Sequence, residues 1–186
     1  MTHGFATQGS DRTAAPYGRL SIGLHWFMLL LLAAVYACIE LREFFPRGSA
    51  IREGLKTWHF MLGLSVLSLL ALRLVARIGA PRLSGSRSWT DWVAAAVHLA
   101  LYAIMFAMPI LGWLALSADG KAIPFFGLEL PPLVGPNKAL AGQFEEIHET
   151  IGTVGYWLVG THAAAALFHH YALRDGVLRR MLAGVR

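Results

Sequence analysis

The sequence predicts an all-α integral membrane protein, built as a bundle of four helices. Of its 186 residues, 56% are hydrophobic and only 15% are charged, and the mean hydropathy is +0.52. The apolar residues are gathered into four blocks, each long enough to cross about 30 Å of hydrocarbon as a helix. None of the blocks alternates apolar and polar residues as barrel strands do, so helix is the form that satisfies their backbone in lipid.

The blocks give the predicted elements in order, within a single domain that covers residues 1–186. The four spans are predicted at about residues 20–40, 58–77, 92–116 and 147–171. The tail that precedes the first span has no small-residue cleavage pattern after a short apolar run, so we expect the first span to be retained as an anchor.

Three polar gaps separate the spans, at residues 42–56, 81–87 and 117–143. The third gap contains four prolines, which interrupt helices. We therefore expect a structured or extended loop there, and not a fifth span.

The basic residues predict the orientation of the bundle. With four spans, both termini and the second gap lie on one side of the membrane, and that side holds ten bases and three acids, against six bases and eight acids on the other. The positive side is expected to be cytoplasmic. The chain is thus predicted to be a multi-pass membrane protein, and its high pI of about 9.8 needs no nucleic-acid partner.

Cysteine usage excludes several kinds of site. Cys38 is the only cysteine in the sequence, so no intramolecular disulfide can form. One thiol is also too few for a cysteine-rich zinc site or an iron–sulfur cluster, and there is no C-x-x-C-H motif for covalent haem attachment.

Histidines are unusually frequent in the predicted spans. Ionisable residues in membrane helices are by default candidates for function, although any one of them could be an interfacial histidine that bonds to a carbonyl. Six of the eight histidines lie within or at the ends of spans: His25, His59, His98, His148, His162 and His169.

The spacing on the fourth span points to a cofactor. His148 and His162 are 14 residues apart, so they share one helix face at about 21 Å along the axis. Gly155 lies midway on the same face, where a small residue lets a bulky group approach the backbone. This pattern is typical of a helix that offers one imidazole to each of two stacked haems.

Each haem iron then needs a second imidazole from a facing helix. The direction of each span places His25 and His162 near the inner side, and His59 and His148 near the outer side. Depth therefore predicts one pair of histidines for the inner haem and one pair for the outer haem.

Three further residues are candidates for cofactor contacts. Arg73 lies 14 residues after His59 at the depth of the inner haem, where it could pair with a propionate or extend to the interface. His98 is a rival ligand near the inner level, ranked lower because it has no partner at the outer level. His169 could contact a propionate, a quinone head group or only the interface.

Four stretches carry a resemblance to a known family: "RLSIGLHW", "EFFPR", "KTWHFMLGLSVL" and "HETIGTVGYWLVGTHAAAALFHHY". They resemble the bacterial cytochrome b561 family of four-helix dihaem membrane proteins, over essentially the whole chain. The resemblance implies two non-covalent b-type haems with bis-histidine ligation. The residues that match the family's axial ligands are His25, His59, His148 and His162.

The resemblance also implies an activity. Family members exchange electrons with ubiquinone, and short single-domain relatives resemble superoxide:ubiquinone oxidoreductases that oxidise superoxide at the periplasmic side. Six-coordinate iron has no open position, so no residue is expected to act by direct bonding to substrate. The candidate quinone or superoxide contacts are Trp58, Lys56, Lys121 and Lys138.

Two other functions stay open at this point. The chain could be a haem-bearing anchor subunit that relays electrons between quinone and a partner dehydrogenase or hydrogenase. It could also be a non-redox transporter whose histidines bind protons or metals. The quinone site is open as well, with an inner pocket near Arg73, His169 and His170 or an outer pocket near Trp58 and the third gap.

Overall fold

The computed structural model describes residues 19–78, 89–174 and 176–182. The elements, in order, are helix α1 (Arg19–Leu41), a 3-10 turn (Arg42–Phe44), α2 (Ala50–Ile78), α3 (Trp89–Asp119), strands β1 (Ile123–Phe125) and β2 (Leu128–Leu130), α4 (Lys138–Phe168), a π-helical turn (His169–Leu173) and α5 (Val177–Leu182). In this part of the chain, four helices are long and apolar enough to cross a membrane. The predicted all-α membrane bundle is confirmed, while the N-terminal tail and the second gap lie outside the described residues.

Two helices begin well before the spans that hydropathy predicted. α2 begins at Ala50 and α4 at Lys138, whereas the spans were predicted from residues 58 and 147. The start of α4 is fixed by Asn137, whose side chain accepts hydrogen bonds from the backbone N–H groups of Ala139 and Leu140. Hydropathy marks the apolar part of a helix, and these first turns are polar but fully competent to form helix.

The helices pack as two antiparallel pairs, α1 with α2 and α3 with α4, and α2 joins the pairs by contacting α3. Apolar side chains of α1 and α2 form the main buried cluster, with partly buried residues of α3 packed against it. The members of that cluster are Leu24, Met28, Leu31, Val66, Leu69 and Leu70.

Two tyrosine hydroxyls join α1 and α4. The Tyr36 hydroxyl donates to the carbonyl of Gly152 at 3.1 Å, and the Tyr156 hydroxyl donates to Glu40 at 2.6 Å. A Cβ atom at Gly155 would collide with the Tyr36 hydroxyl. Gly155 lies against Tyr36 here and also lines the central cavity, and its role toward a cofactor stays a prediction.

The third gap folds into a short antiparallel hairpin, in which Ile123 pairs with Leu130. Phe126 and Gly127 form its turn with positive φ values of 46° and 86°, as in a type I′ turn. The Phe126 ring packs edge-on against Trp58 of α2 at a centroid distance of 6.3 Å. The hairpin therefore lies against the end of α2 at which the chain enters that helix.

Candidate functional site

One histidine pair lies between α2 and α4. The ring centroids of His59 and His148 are 6.1 Å apart, and the ring planes are inclined by 71°. The Nδ1–H group of His59 donates to the carbonyl of Val35 at 3.0 Å. Because Nδ1 holds the ring proton in this bond, Nε2 of His59 keeps a free lone pair.

The partner ring, His148, is held in a narrow space. A Cβ atom on Gly112 of α3 would lie 3.4 Å from Cε1 of His148, so the glycine lets this ring lie directly against α3. The Met108 backbone faces the ring as well. Even so, Nδ1 of His148 is the one buried side-chain polar atom in the described ranges without a hydrogen bond of good geometry. Buried polar atoms are usually satisfied, so this ring fits a role in binding.

A cavity of about 470 Å³ surrounds this pair and is lined by all four long helices. Its volume falls within the range of about 300–1,000 Å³ that is usual for small-molecule and cofactor sites. Its walls are mostly apolar and include four glycines: Gly63, Gly112, Gly152 and Gly155.

Charged residues line the outer part of the cavity, and acids outnumber bases. They comprise five carboxylates and three bases: Glu40, Glu43, Asp119, Glu145, Glu149, Arg42, Lys56 and Lys121.

Most bases on this side are already paired with acids. Arg42 and Arg52 each contact Glu43, at 3.0 Å and 3.1 Å. Lys121 and Lys138 both contact Asp119 at 2.5 Å. Four of the six bases that the sequence placed on the outer side thus contact a carboxylate, and each of the two carboxylates is shared by two bases.

Lys56 differs from those four bases. It lines the cavity, and among the residues that the structure describes it forms no ion pair. Trp58, the other predicted contact on α2, packs against the hairpin at Phe126. The structure thus brings Trp58 to the predicted loop and leaves Lys56 as the uncompensated base of the cavity.

The second histidine pair lies between α1 and α4. The ring centroids of His25 and His162 are 6.3 Å apart, with ring planes inclined by 67°. His98 of α3 also reaches this level, and its ring lies 5.2 Å from that of His162. The Nδ1–H group of His98 donates to the carbonyl of Ala94, one turn earlier on the same helix, at 2.6 Å.

Arg73 of α2 joins the second pair. Its Nη2 donates to Nδ1 of His25 at 3.3 Å, and its Nε donates to the hydroxyl of Tyr102 on α3 at 3.3 Å. The guanidinium thus spans from α3 to α1, at the level where the sequence predicted it. Tyr102, which holds it, carried no signal in the sequence.

The two histidines after His162 follow a different geometry. His169 and His170 begin the π-helical turn that ends at Leu173, and Arg174 follows in the left-handed region. The His169 ring packs against Phe168 at 6.5 Å, and the His170 ring packs against Tyr171 at 4.7 Å. These contacts give both histidines local aromatic neighbours at the end of α4.

Both pairs have the separation that a bis-imidazole metal site requires. Metal–imidazole bonds of about 2.0 Å, plus a ring radius of about 1.2 Å on each side, put the ring centroids about 6 Å apart. The His59–His148 and His25–His162 pairs meet this distance, and the His98–His162 pair is too close for a metal ion between them.

The hydrogen bonds at Nδ1 suit metal binding at His59 better than at His25. Metal-binding histidines usually donate their other ring N–H to a carbonyl or carboxylate, as His59 does to Val35. At His25 the Arg73 guanidinium donates to Nδ1, so the ring proton lies on Nε2. For His25 to bind iron through Nε2, that proton has to move to Nδ1, and Arg73 has to release it.

Comparison with known proteins gives consistent matches along the chain. The family profile described as prokaryotic cytochrome b561 matches residues 16–184. The chain is 36% identical over 169 residues to Cytochrome b561 homolog 1 of Escherichia coli (strain K12), covering 89% of this chain and 96% of that protein. It is 32% identical over 169 residues to Probable superoxide oxidase CybB of Yersinia pestis, covering 89% and 95%. It is 28% identical over 174 residues to Cytochrome b561 homolog 2 of Escherichia coli (strain K12), covering 91% and 93%.

Proposed function

Because this chain belongs to the prokaryotic cytochrome b561 family, whose members are membrane proteins that carry b-type haem and transfer electrons, we propose that it holds two haems. We further propose that it moves electrons across the bacterial inner membrane to ubiquinone. Two histidine pairs carry the proposal. In each pair the ring centroids are about 6 Å apart, and α4 supplies one member of each pair from its opposite halves.

We assign His59 and His148 to an outer haem, and His25 and His162 to an inner haem. When bound, haem supplies one-electron chemistry. The four histidines would hold the haem irons, two histidines at each level, and a substrate would exchange electrons without binding the iron. The protein would then exchange electrons with donor and acceptor through the exposed edge of each site. His98 and Arg73 would border the inner site, and the cavity would hold the outer one.

Superoxide is the electron donor that we propose. The support is the 32% identity to a protein named as a probable superoxide oxidase. In the balanced reaction, two superoxide anions each lose one electron and give two molecules of oxygen. The two electrons, together with two protons from water, convert one ubiquinone to ubiquinol. Lys56 would attract the anion to the cavity, because the other two bases of the cavity lining, Arg42 and Lys121, each contact a carboxylate. Lys121 and Lys138 are tied to Asp119, which favours a structural role for both.

The test uses the purified full-length protein. Its haem content and its reduced-minus-oxidised spectrum are measured first, and we expect two haem b per chain with a clear α-band. Superoxide and a soluble ubiquinone are then supplied together, and quinone reduction is followed. We expect reduction well above the uncatalysed rate.

Each alternative outcome points to another function. Two haems without quinone reduction would overturn superoxide as the donor, and would favour an anchor subunit that serves a partner dehydrogenase or hydrogenase. Absence of the α-band from protein prepared with added haem would overturn the electron-transfer proposal and favour a non-redox transporter. A fourfold variant without His25, His59, His148 and His162 is the matched control for both measurements.

A further inference from the structure

The two histidine levels differ in the charge that surrounds them. At the level of His25 and His162, the Arg73 guanidinium contacts an imidazole and a phenol hydroxyl. It forms no ion pair with a carboxylate in the described part of the chain. An arginine side chain stays protonated at any pH that a protein tolerates, so this level carries a permanent positive charge.

The other level differs from this one. Five carboxylates and three bases line the cavity that surrounds His59 and His148. Two of those bases, Arg42 and Lys121, pair with carboxylates of the same cavity wall. Arg52 and Lys138 contact the same two carboxylates, so five carboxylates face five bases around the outer pair, and their charges balance.

This difference acts on electron transfer. Reduction adds one negative charge to a site, so a nearby cation favours the reduced form and nearby anions oppose it. The interaction is strong here because the bundle interior screens charge much less than water does. The sign is the same whether Arg73 stays near His25 or turns to a haem propionate, because in both cases its charge remains at the inner level.

We infer that Arg73 sets the reduction potential of the inner haem above that of the outer haem, so that the electron moves by preference from the outer to the inner side. The inference rests on the proposed two-haem assignment. In this step one electron leaves the outer iron and arrives at the inner iron, so the outer site is oxidised and the inner site reduced, and no bond forms or breaks. The quinone that collects the electrons would then be served from the inner side.

Tyr102 is the positioning residue for this charge. Its hydroxyl accepts the hydrogen bond from Nε of Arg73 at 3.3 Å, from a different helix than either histidine. Without that hydroxyl, Arg73 would lose one of its two hydrogen bonds at this depth. Its side chain would then extend toward water more readily, as arginines near helix ends do.

The experiment is a redox titration of the purified holoprotein, which resolves the two haem b couples by their spectra. The inner couple is the one that disappears in His25→Ala. In Arg73→Gln we expect the inner couple to become harder to reduce by about tenfold, which is about 59 mV for a one-electron couple, while the outer couple stays in place. Arg73→Lys should keep the charge and most of the wild-type value. Tyr102→Phe should shift the inner couple in the same direction by a smaller amount.

Arg47→Gln is the matched control, because Arg47 is an exposed base outside the lining of the cavity. We expect both couples to keep their wild-type positions in that variant. An unchanged inner couple in Arg73→Gln, or an equal shift of both couples, would overturn the inference while the two-haem assignment stands. If the Arg73→Gln protein fails to bind the inner haem, the Tyr102→Phe protein is used for the test instead. An unshifted inner couple in Tyr102→Phe would then overturn the inference. Wild-type protein with fewer than two haems would instead refute the proposed function.

Discussion

Nδ1 of His59 lies 3.0 Å from the carbonyl oxygen of Val35, so a residue of α1 orients a histidine of α2. The bond fixes the tautomer of His59 with the proton on Nδ1, and it leaves the lone pair of Nε2 free to bind a metal ion. A hydrogen bond of this kind also makes an imidazole a stronger ligand. The first helix thus contributes to the outer site through its backbone, and to the inner site through the side chain of His25.

The first prediction concerns haem content. His59→Ala or His148→Ala should lower it from two haems per chain to one, because each would remove an axial ligand of the outer site. His25→Ala or His162→Ala should remove the other haem. The measurement is haem per chain in purified protein. His170→Ala is the control and should keep both haems, and retention of two haems in any of the four ligand variants would contradict the assignment.

The second prediction concerns the contact between α1 and α4. Gly155→Ala places a methyl group against the Tyr36 hydroxyl and should break its bond to Gly152, which corresponds to a loss of about 1 kcal/mol or more. For a chain of this size that lowers the thermal midpoint by about 2–4 °C. Tyr36→Phe should relieve the clash, so adding Gly155→Ala to Tyr36→Phe should change the midpoint less.

Gly160→Ala is the control for this pair, because nothing lies within 4 Å of its Cβ position. Alanine favours helix over glycine, so we expect an unchanged or slightly higher midpoint. Equal losses from Gly155→Ala and Gly160→Ala would refute the proposed clash.

The third prediction compares two sets of polar contacts that hold the loop between α3 and α4. The buried hydroxyl of Ser117 donates to Trp113 at 2.7 Å and accepts from the N–H of Leu133 at 3.1 Å. Ser117→Ala leaves the N–H of Leu133 without its hydrogen-bond acceptor, while the Trp113 carbonyl keeps its bond within α3, and it should cost about 1–3 kcal/mol. Asp119→Asn removes two ion pairs whose lysines are exposed, so it should cost less than about 1 kcal/mol.

Thermal or urea unfolding followed by circular dichroism measures both changes. The test is the order of the two stability losses, because a count of interactions alone would predict the larger loss for Asp119→Asn. A larger loss from Asp119→Asn than from Ser117→Ala would contradict it. Raising the salt concentration should shrink the effect of Asp119→Asn and leave that of Ser117→Ala unchanged.

The fourth prediction concerns Lys56. If superoxide is the donor, Lys56→Gln should lower the rate of quinone reduction several-fold at low ionic strength, because it removes the uncompensated base of the cavity. The loss should fade as salt is added. Arg52→Gln is the comparison: Arg52 already pairs with Glu43, so its removal should change the rate less. An equal effect of both variants would argue against local steering by Lys56.

The sequence predicted the bundle because hydropathy and helix length follow directly from the lipid environment. It also predicted which histidines would meet, since helix direction and depth fix His25 beside His162 and His59 beside His148. The helix starts were less predictable. The polar first turns of α2 and α4 form helix through backbone bonds and the Asn137 cap, and neither contributes to hydropathy.

Contacts between helices were out of reach of the sequence. Gly155 was on the correct face, but only the rotation of α1 decides that Tyr36 fills the space above it. Likewise, Gly112 makes room for His148 only because α3 lies against α4 in this register. The role of Tyr102 is recognised only in the folded bundle, where its hydroxyl accepts a hydrogen bond from Arg73. Each of these depends on the relative rotation of two helices, which a single-chain pattern does not encode.

The pairing of α1 with α2 and of α3 with α4 divides the molecule into two helical hairpins. His25 and His59 belong to the first hairpin, and His148 and His162 both belong to the second. Under the proposed assignment every haem would bridge the two hairpins and none would be held within one. Biogenesis could then proceed in two insertions followed by a joining step, in which haem supply decides whether the halves stay together. In haem-starved cells, the newly made chain should be degraded sooner than in cells with ample haem.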